Sequence, residues 1–191
     1  LFVLEKMRSS TLNMNSNKLI IFNFISFQIL WWACVLSAKP GLGFAVFLLV
    51  IIFTLAHLEW VEGWQQALPL IITALIGCLL DQIGYYMGLI SFEYPEFWTS
   101  YIPLWMIALW LAFACTLNVS MRWLQPKPML AAILGGIFGP LAYLGSAKLQ
   151  VIHLPHPTLS LAWVALEWAI AMPFMFWIRR HFSQTILGKP A

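Results

Sequence analysis

Apolar runs about as long as a bilayer is thick recur along this chain, and no other feature constrains its fold so strongly. A membrane-spanning helix needs about 20 mainly apolar residues. Six segments qualify: Leu19 to Ala38, Gly41 to Trp60, Ala67 to Leu89, Ile102 to Met121, Met129 to Leu149 and Leu159 to Ile178. Only Lys39 and Pro40 separate the first two, so they form either a tight hairpin or one long run with a re-entrant part. The pattern predicts an all-α, polytopic integral membrane protein of about six helices.

Composition excludes the soluble alternative. Of the 191 residues, 62% are hydrophobic and 9% charged, against roughly 45–50% apolar in a soluble domain. Ten Lys and Arg with seven Asp and Glu cannot cover a core of this size with a charged surface. The basic residues sit beside apolar runs and form no stripe, so nucleic acid is not an expected partner. Membrane lipids are, with other envelope proteins or a second copy of the chain as further candidates.

Positive loops are retained in the cytoplasm. With the amino end inside, Lys6, Arg8, Lys18, Arg122, Lys127, Arg179, Arg180 and Lys189 all fall on the cytoplasmic side, and only Lys39 and Lys148 on the other. An even number of spans with both termini cytoplasmic satisfies this bias. The division is then a polar tail over 1–18, a transmembrane domain over 19–178 and a basic cytoplasmic tail over 179–191. Met7 and Met14 allow a later true start within the polar tail, and the run after Lys18 is too long for a signal-peptide core. Trp60, Trp64, Tyr94, Trp98, Tyr101, Trp105, Trp123 and Trp177 lie near span ends, where amphipathic rings anchor at the headgroups. The aromatic segment Ser91 to Pro103 reads as an interfacial loop on the outer face.

Asp81, with Gln82 beside it, interrupts the third span past its middle toward the outer face. A charge at such depth costs about 2.5–3.5 kcal/mol on insertion scales, so Asp81 must face protein or water, or carry a proton. It is either a proton or cation site, or a structural acid bonded to a neighbouring helix. Glu167, near the middle of the last span, is the second intramembrane acid, and its similar depth makes it a candidate to share one polar centre with Asp81. In the fourth span Thr116, Asn118, Ser120 and Arg122 bunch at the cytoplasmic end, and Asn118 can bond across helices or help form a polar rim for a headgroup. Asn23 and Gln28 of the first span are polar groups able to meet them.

The fifth span carries two nearly bare strips, Ala131, Gly135, Gly139 and Ala132, Gly136, Pro140, along which another helix can approach closely. Pro140 removes a backbone bond and predicts a kink near Tyr143, for packing or as a hinge. His57 lies near the end of the second span with Glu59 and Glu62 behind it, either an acid/base pair with Glu59 or a snorkelling helix end. His153 and His156 flank Pro155 without an adjacent acidic ligand, and Cys34, Cys78 and Cys115 show no ligand spacing. No metal or cofactor is expected, and no familiar catalytic signature is present.

With these residues in view, the chain resembles a family of small bacterial inner-membrane proteins catalogued only as a domain of unknown function. The resemblance rests on the helix from Asn23 to Gln28, the acid in a third span ending GLI, PLWMIALWLAFACTLNVSMRWL and GPLAYLGSAKL. It implies an inner-membrane location and no particular reaction. Three functional readings stay open: a non-catalytic envelope or lipid-metabolism accessory; a small proton-coupled transporter or channel using Asp81 and Glu167, with Pro140 as moving part; and a lipid-modifying enzyme using His57, Asp81 and Asn118.

Overall fold

The computed structural model describes residues 16–93 and 100–186. The tails at either end and residues 94–99, with Tyr94 and Trp98, lie outside them. Six α-helices form the body: α1 (Ser16–Ser37), α2 (Gly43–His57), α3 (Ala67–Tyr86), α4 (Leu104–Ala114), α5 (Pro128–Lys148) and α6 (Pro157–Ile186). Five of these stretches are long and apolar enough to cross a membrane: Asn17–Ser37, Gly43–Glu62, Trp64–Tyr86, Pro128–Lys148 and Pro157–Phe182.

The first two helices join in the tight hairpin that Lys39 and Pro40 suggest. Gly41 adopts a φ of 68° that L side chains rarely take, and Leu42 N–H donates to Ser37 O. At the other end of α2 the chain widens into a π turn, Leu58–Glu62, closed by Gly63 N–H donating to Leu58 O at 2.8 Å.

The fourth predicted span requires correction. Its helix ends at Ala114, and residues 115–121 run on in successive turns. At about 1.5 Å per residue, α4 covers roughly half of a 30 Å hydrocarbon core. It need not match the lipid, because it is buried nearly all round: Leu104, Trp105, Met106, Ala108, Trp110, Ala112 and Phe113 are all inside. Helices α1, α2 and α3 pack around it, and α6 packs against α3 and, most extensively, α5. Non-helical backbone is tolerated at such depth only where protein satisfies it. Here Asn23 Nδ2 donates to Cys115 O at 3.1 Å and Gln125 Nε2 to Leu117 O at 3.0 Å. Asn23 Oδ1 in turn accepts from the backbone N–H and the hydroxyl of Ser120.

Two further readings are corrected. Trp105 is fully buried against Phe92 and is no interfacial anchor, whereas Trp64, Tyr101, Trp123 and Trp177 are exposed. Helix α6 continues past Ile178 to Ile186, so a tail boundary at 179 falls inside a helix, and Arg179 is fully buried. At the end of the bundle holding the α1–α2 hairpin, β1 (Ser91–Phe92) pairs antiparallel with β2 (Ile152–His153). Gln82 clips the chain into α4, donating to Ser100 O and accepting from Ile102 N–H.

The bare strip on α5 closes on α6. A Cβ on Gly135 would meet the Trp168 carbonyl, and one on Gly139 would meet the Trp168 ring. Helix α5 runs unbroken through Pro140. A methyl group at Gly139 is expected to cost about 1–3 kcal/mol through overpacking. At Gly145, where a Cβ would meet only Trp31 at 3.8 Å, the same change is neutral or stabilising. Thermal unfolding of Gly139→Ala and Gly145→Ala in detergent, followed by circular dichroism, checks the contrast; equal melting temperatures would refute the close approach.

Candidate functional site

The structure gathers the intramembrane polar residues into two separate centres. The first surrounds Asp81 in the interior. Its carboxylate, fully buried, accepts from the Trp110 indole N–H at 2.6 Å and from the Tyr143 hydroxyl. Each donor comes from a different helix, so one acid on α3 ties α4 and α5 to itself. Glycines make room for the rings: Gly77 lies directly beneath Trp110, and Gly139 beneath Trp168. The Trp168 ring stacks on Trp110 at 4.9 Å and 27°, and Phe113 meets both edge-on.

Glu167 belongs to the same centre. It is 4% exposed, within electrostatic reach of Asp81 and near the Trp163 indole. Neither of its oxygens has a well-formed hydrogen bond; the Trp163 indole approaches Glu167 and the Trp168 indole approaches Tyr143, both short of good bonding geometry. Trp163 Nε1 lies over Gly84, one turn along α3 from Asp81.

The second centre sits where α2, α3, the turns after α4 and α6 meet. The π turn brings His57 and Glu62, five residues apart, onto one face, and His57 Nε2 lies 2.8 Å from Glu62 Oε1. Glu62 Oε2 accepts from Arg179 and from Asn118 Nδ2. Asn118 also donates to Gln66 and accepts from Gln125, while Arg179 Nη1 donates to Gln66 O. His57 therefore pairs with Glu62 and is buried, not a snorkelling end; Glu59 instead accepts from Trp64 at 2.6 Å. Asp81 lies fifteen residues of helix beyond Gln66, about 22 Å, so His57 and Asn118 do not share a site with it. Gln82 serves the clip described above, and Arg122 and Gln28 are exposed.

A cavity of about 670 Å³ opens between α1 and α5 and reaches the first centre. Its walls are almost wholly apolar and aromatic, with Phe27 and Trp31 from α1, Phe113 from α4, Phe138 and Tyr143 from α5 and Trp168 from α6. Tyr143, Trp110 and Trp168 thus face both the cavity and the Asp81 centre. His153 and His156 are exposed, the three cysteines are free, and among the described residues no three His, Cys, Asp or Glu side chains converge as metal ligands.

The residue pattern of a family described as "Protein of unknown function (DUF2878)" matches residues 20–174. The chain belongs to this family. No curated protein and no solved structure matches it. The matched range takes in Asp81, Tyr143 and Glu167 but stops short of Arg179.

Several members of these centres carry no obvious sequence signal. Trp110, Trp163 and Trp168 read as ordinary membrane aromatics. Glu62 sits at a π spacing from His57 that helical periodicity does not suggest. Arg179 was legible only as the continuation of an inward stripe through Met172, Met175 and Phe176.

Removing one member of a buried ion pair costs about 3–5 kcal/mol, because the other charge is left uncompensated. Glu62→Gln, which strands Arg179, is expected to lose that much stability in denaturant titrations in detergent. The double variant Glu62→Gln, Arg179→Met should recover a large part of it. A single variant as stable as the parent would show the pair to be energetically idle.

Proposed function

We propose that this protein is a multi-pass component of the bacterial inner membrane that holds an acyl-chain lipid between α1 and α5. In this reading it serves envelope lipid metabolism as an accessory and catalyses no reaction itself. The observation that carries the reading is the cavity: about 670 Å³ lined by aromatic and aliphatic side chains, within the size range of small-molecule sites. Its chemistry suits hydrocarbon, since most of the polar groups near it are engaged elsewhere: Tyr143 with Asp81, Ser120 with Asn23, Thr116 with Phe113 O and Ser146 with Ala142 O.

The distribution of charge supports the orientation. Lys18, Arg122, Lys127, Arg179 and Arg180 cluster at the end of the bundle that holds the Glu62 network, and Lys39 and Lys148 at the opposite end, where Lys39 lies 3.4 Å from Gln150. Placing the richer end in the cytoplasm follows the positive-inside rule and puts both termini there. The bacterial origin rests on the resemblance drawn from the sequence. An enzyme built on His57, Asp81 and Asn118 is disfavoured, because these residues occupy two centres.

A phospholipid carrying a photoreactive diazirine on its acyl chain should label buried, cavity-facing residues of the reconstituted protein, such as Phe113 and Met172. Ala142→Trp, which fills the cavity from α5, should cut that labelling at least several-fold while leaving labelling of the lipid-exposed Ile52 and Leu79 unchanged. Uniform labelling of the cavity and the outer surface, unaffected by Ala142→Trp, would count against a lipid site.

A further inference from the structure

Among the described residues, the centre behind the cavity contains two acids and no base. Around Asp81, helix α3 contributes Cys78, α4 no titratable group, α5 Tyr143 and α6 Glu167. The nearest basic residue on α6, Arg179, lies twelve residues away, about 18 Å along the helix, and is engaged by Glu62. Two ionised carboxylates in so apolar a site repel one another, so without a cation the pair holds on to one proton until the surrounding water is alkaline enough to take it. The hydrogen bonds divide the roles: two donors from two helices converge on Asp81, as a carboxylate requires, while Glu167 has only the Trp163 indole nearby and is the member of the pair that holds the proton.

The under-satisfied polar groups of α6 form a line. Ser160, Trp163 and Glu167 follow one another at helical spacings of three and four residues, which places them on one face. Ser160 Oγ is buried without a hydrogen bond, and Trp163 Nε1 and the Glu167 oxygens, though close to each other, are buried without a well-formed one. A carboxyl group, an indole N–H and a hydroxyl buried this way on a packing face are expensive and call for an explanation. Ser160 lies one turn from the exposed His156, whose carbonyl its N–H bonds at 2.7 Å.

From this arrangement we infer that Asp81 and Glu167 form a proton-exchange site, reached from the end of the bundle opposite the Glu62 network along Ser160 and Trp163. The exchange is a simple ionisation: the Glu167 O–H breaks, the proton leaves as hydronium in water at the Pro157 end of α6, and the electron pair stays on the carboxylate. The site is joined to the cavity, because Trp168 adjoins Glu167 in sequence and Tyr143 bonds Asp81, and both rings line the cavity wall. Charge on the pair and occupancy of the cavity are therefore linked, and by reciprocity each biases the other. This linkage rests on the lipid reading of the cavity; the proton site does not.

Infrared difference spectra of the full chain in dodecyl maltoside, recorded between about pH 4 and 9, test the proton site directly. A carboxyl C=O band that titrates, shifts in heavy water and disappears in Glu167→Gln is expected. Asp81→Asn should move its midpoint. No band removed by Glu167→Gln, in a variant whose circular dichroism and melting temperature match the parent, overturns the inference. The diazirine phospholipid tests the linkage: labelling at Met172 should change about fivefold or more across that range in the parent and stay flat in Glu167→Gln. Labelling that is strong but pH-independent in the parent overturns the linkage. A titrating Glu167 band in a protein whose cavity is never labelled overturns the lipid reading and upholds the proton site.

Discussion

Asp81 holds its place in the apolar interior by accepting two side-chain hydrogen bonds, and the arrangement of the bundle follows from that need. The donors are on different helices, Trp110 on α4 and Tyr143 on α5, so satisfying one carboxylate fixes three helices relative to one another. The indole rings packed around the acid then need floors without side chains. Gly77 under Trp110 and Gly139 under Trp168 are consequences of placing large rings around a small acid. Because hydrogen bonds to a charged group are stronger than neutral ones and geometrically demanding, the centre supplies specificity that uniform apolar packing against lipid cannot.

The opposite end of the bundle solves a different problem. Helix α4 stops halfway, and the turns after it carry backbone groups that lipid cannot solvate. Asn23 and Gln125 satisfy two of those carbonyls, and Asn118 reaches into the Glu62 network. The network joins α2, α3 and α6 around one ion pair, Glu62 with Arg179, with His57 held on the second carboxylate oxygen. Between these two polar clamps the contacts are apolar, and there the bundle leaves room: α1 packs on α2 and α4, α5 packs on α6, and the cavity opens in the gap.

Much of this architecture was legible in the residues. Hydrophobic run length placed the long helices within a few residues except at the end of α6, Lys39 and Pro40 marked the hairpin, and the glycine strip of the fifth span indicated a close neighbour. The length of the fourth helix was not legible, since an apolar run reads alike whether it meets lipid or protein; the turn of direction at Cys115 depends on Asn23, ninety-two residues away. Asp81 and Glu167 stood out as acids in hydrocarbon, but Trp110, Trp163 and Trp168 did not, because aromatics are common in every span. Arg179 was hidden by Arg180: the pair looked like a topology signal, whereas helical phase turns one inward and the other to the surface.

A double-mutant cycle on Asp81 and Tyr143 probes the central bond most directly. Asp81→Leu and Tyr143→Phe each leave polar groups without their partner, whereas the double variant removes the pair together. Unfolding in detergent should therefore show a coupling energy of about 0.5–3 kcal/mol, the range for residues in contact, with the double variant less destabilised than the sum of the singles. Strict additivity of the two changes would contradict the account, because Asp81 would then not be held by Tyr143 and the polar centre would lose its anchor.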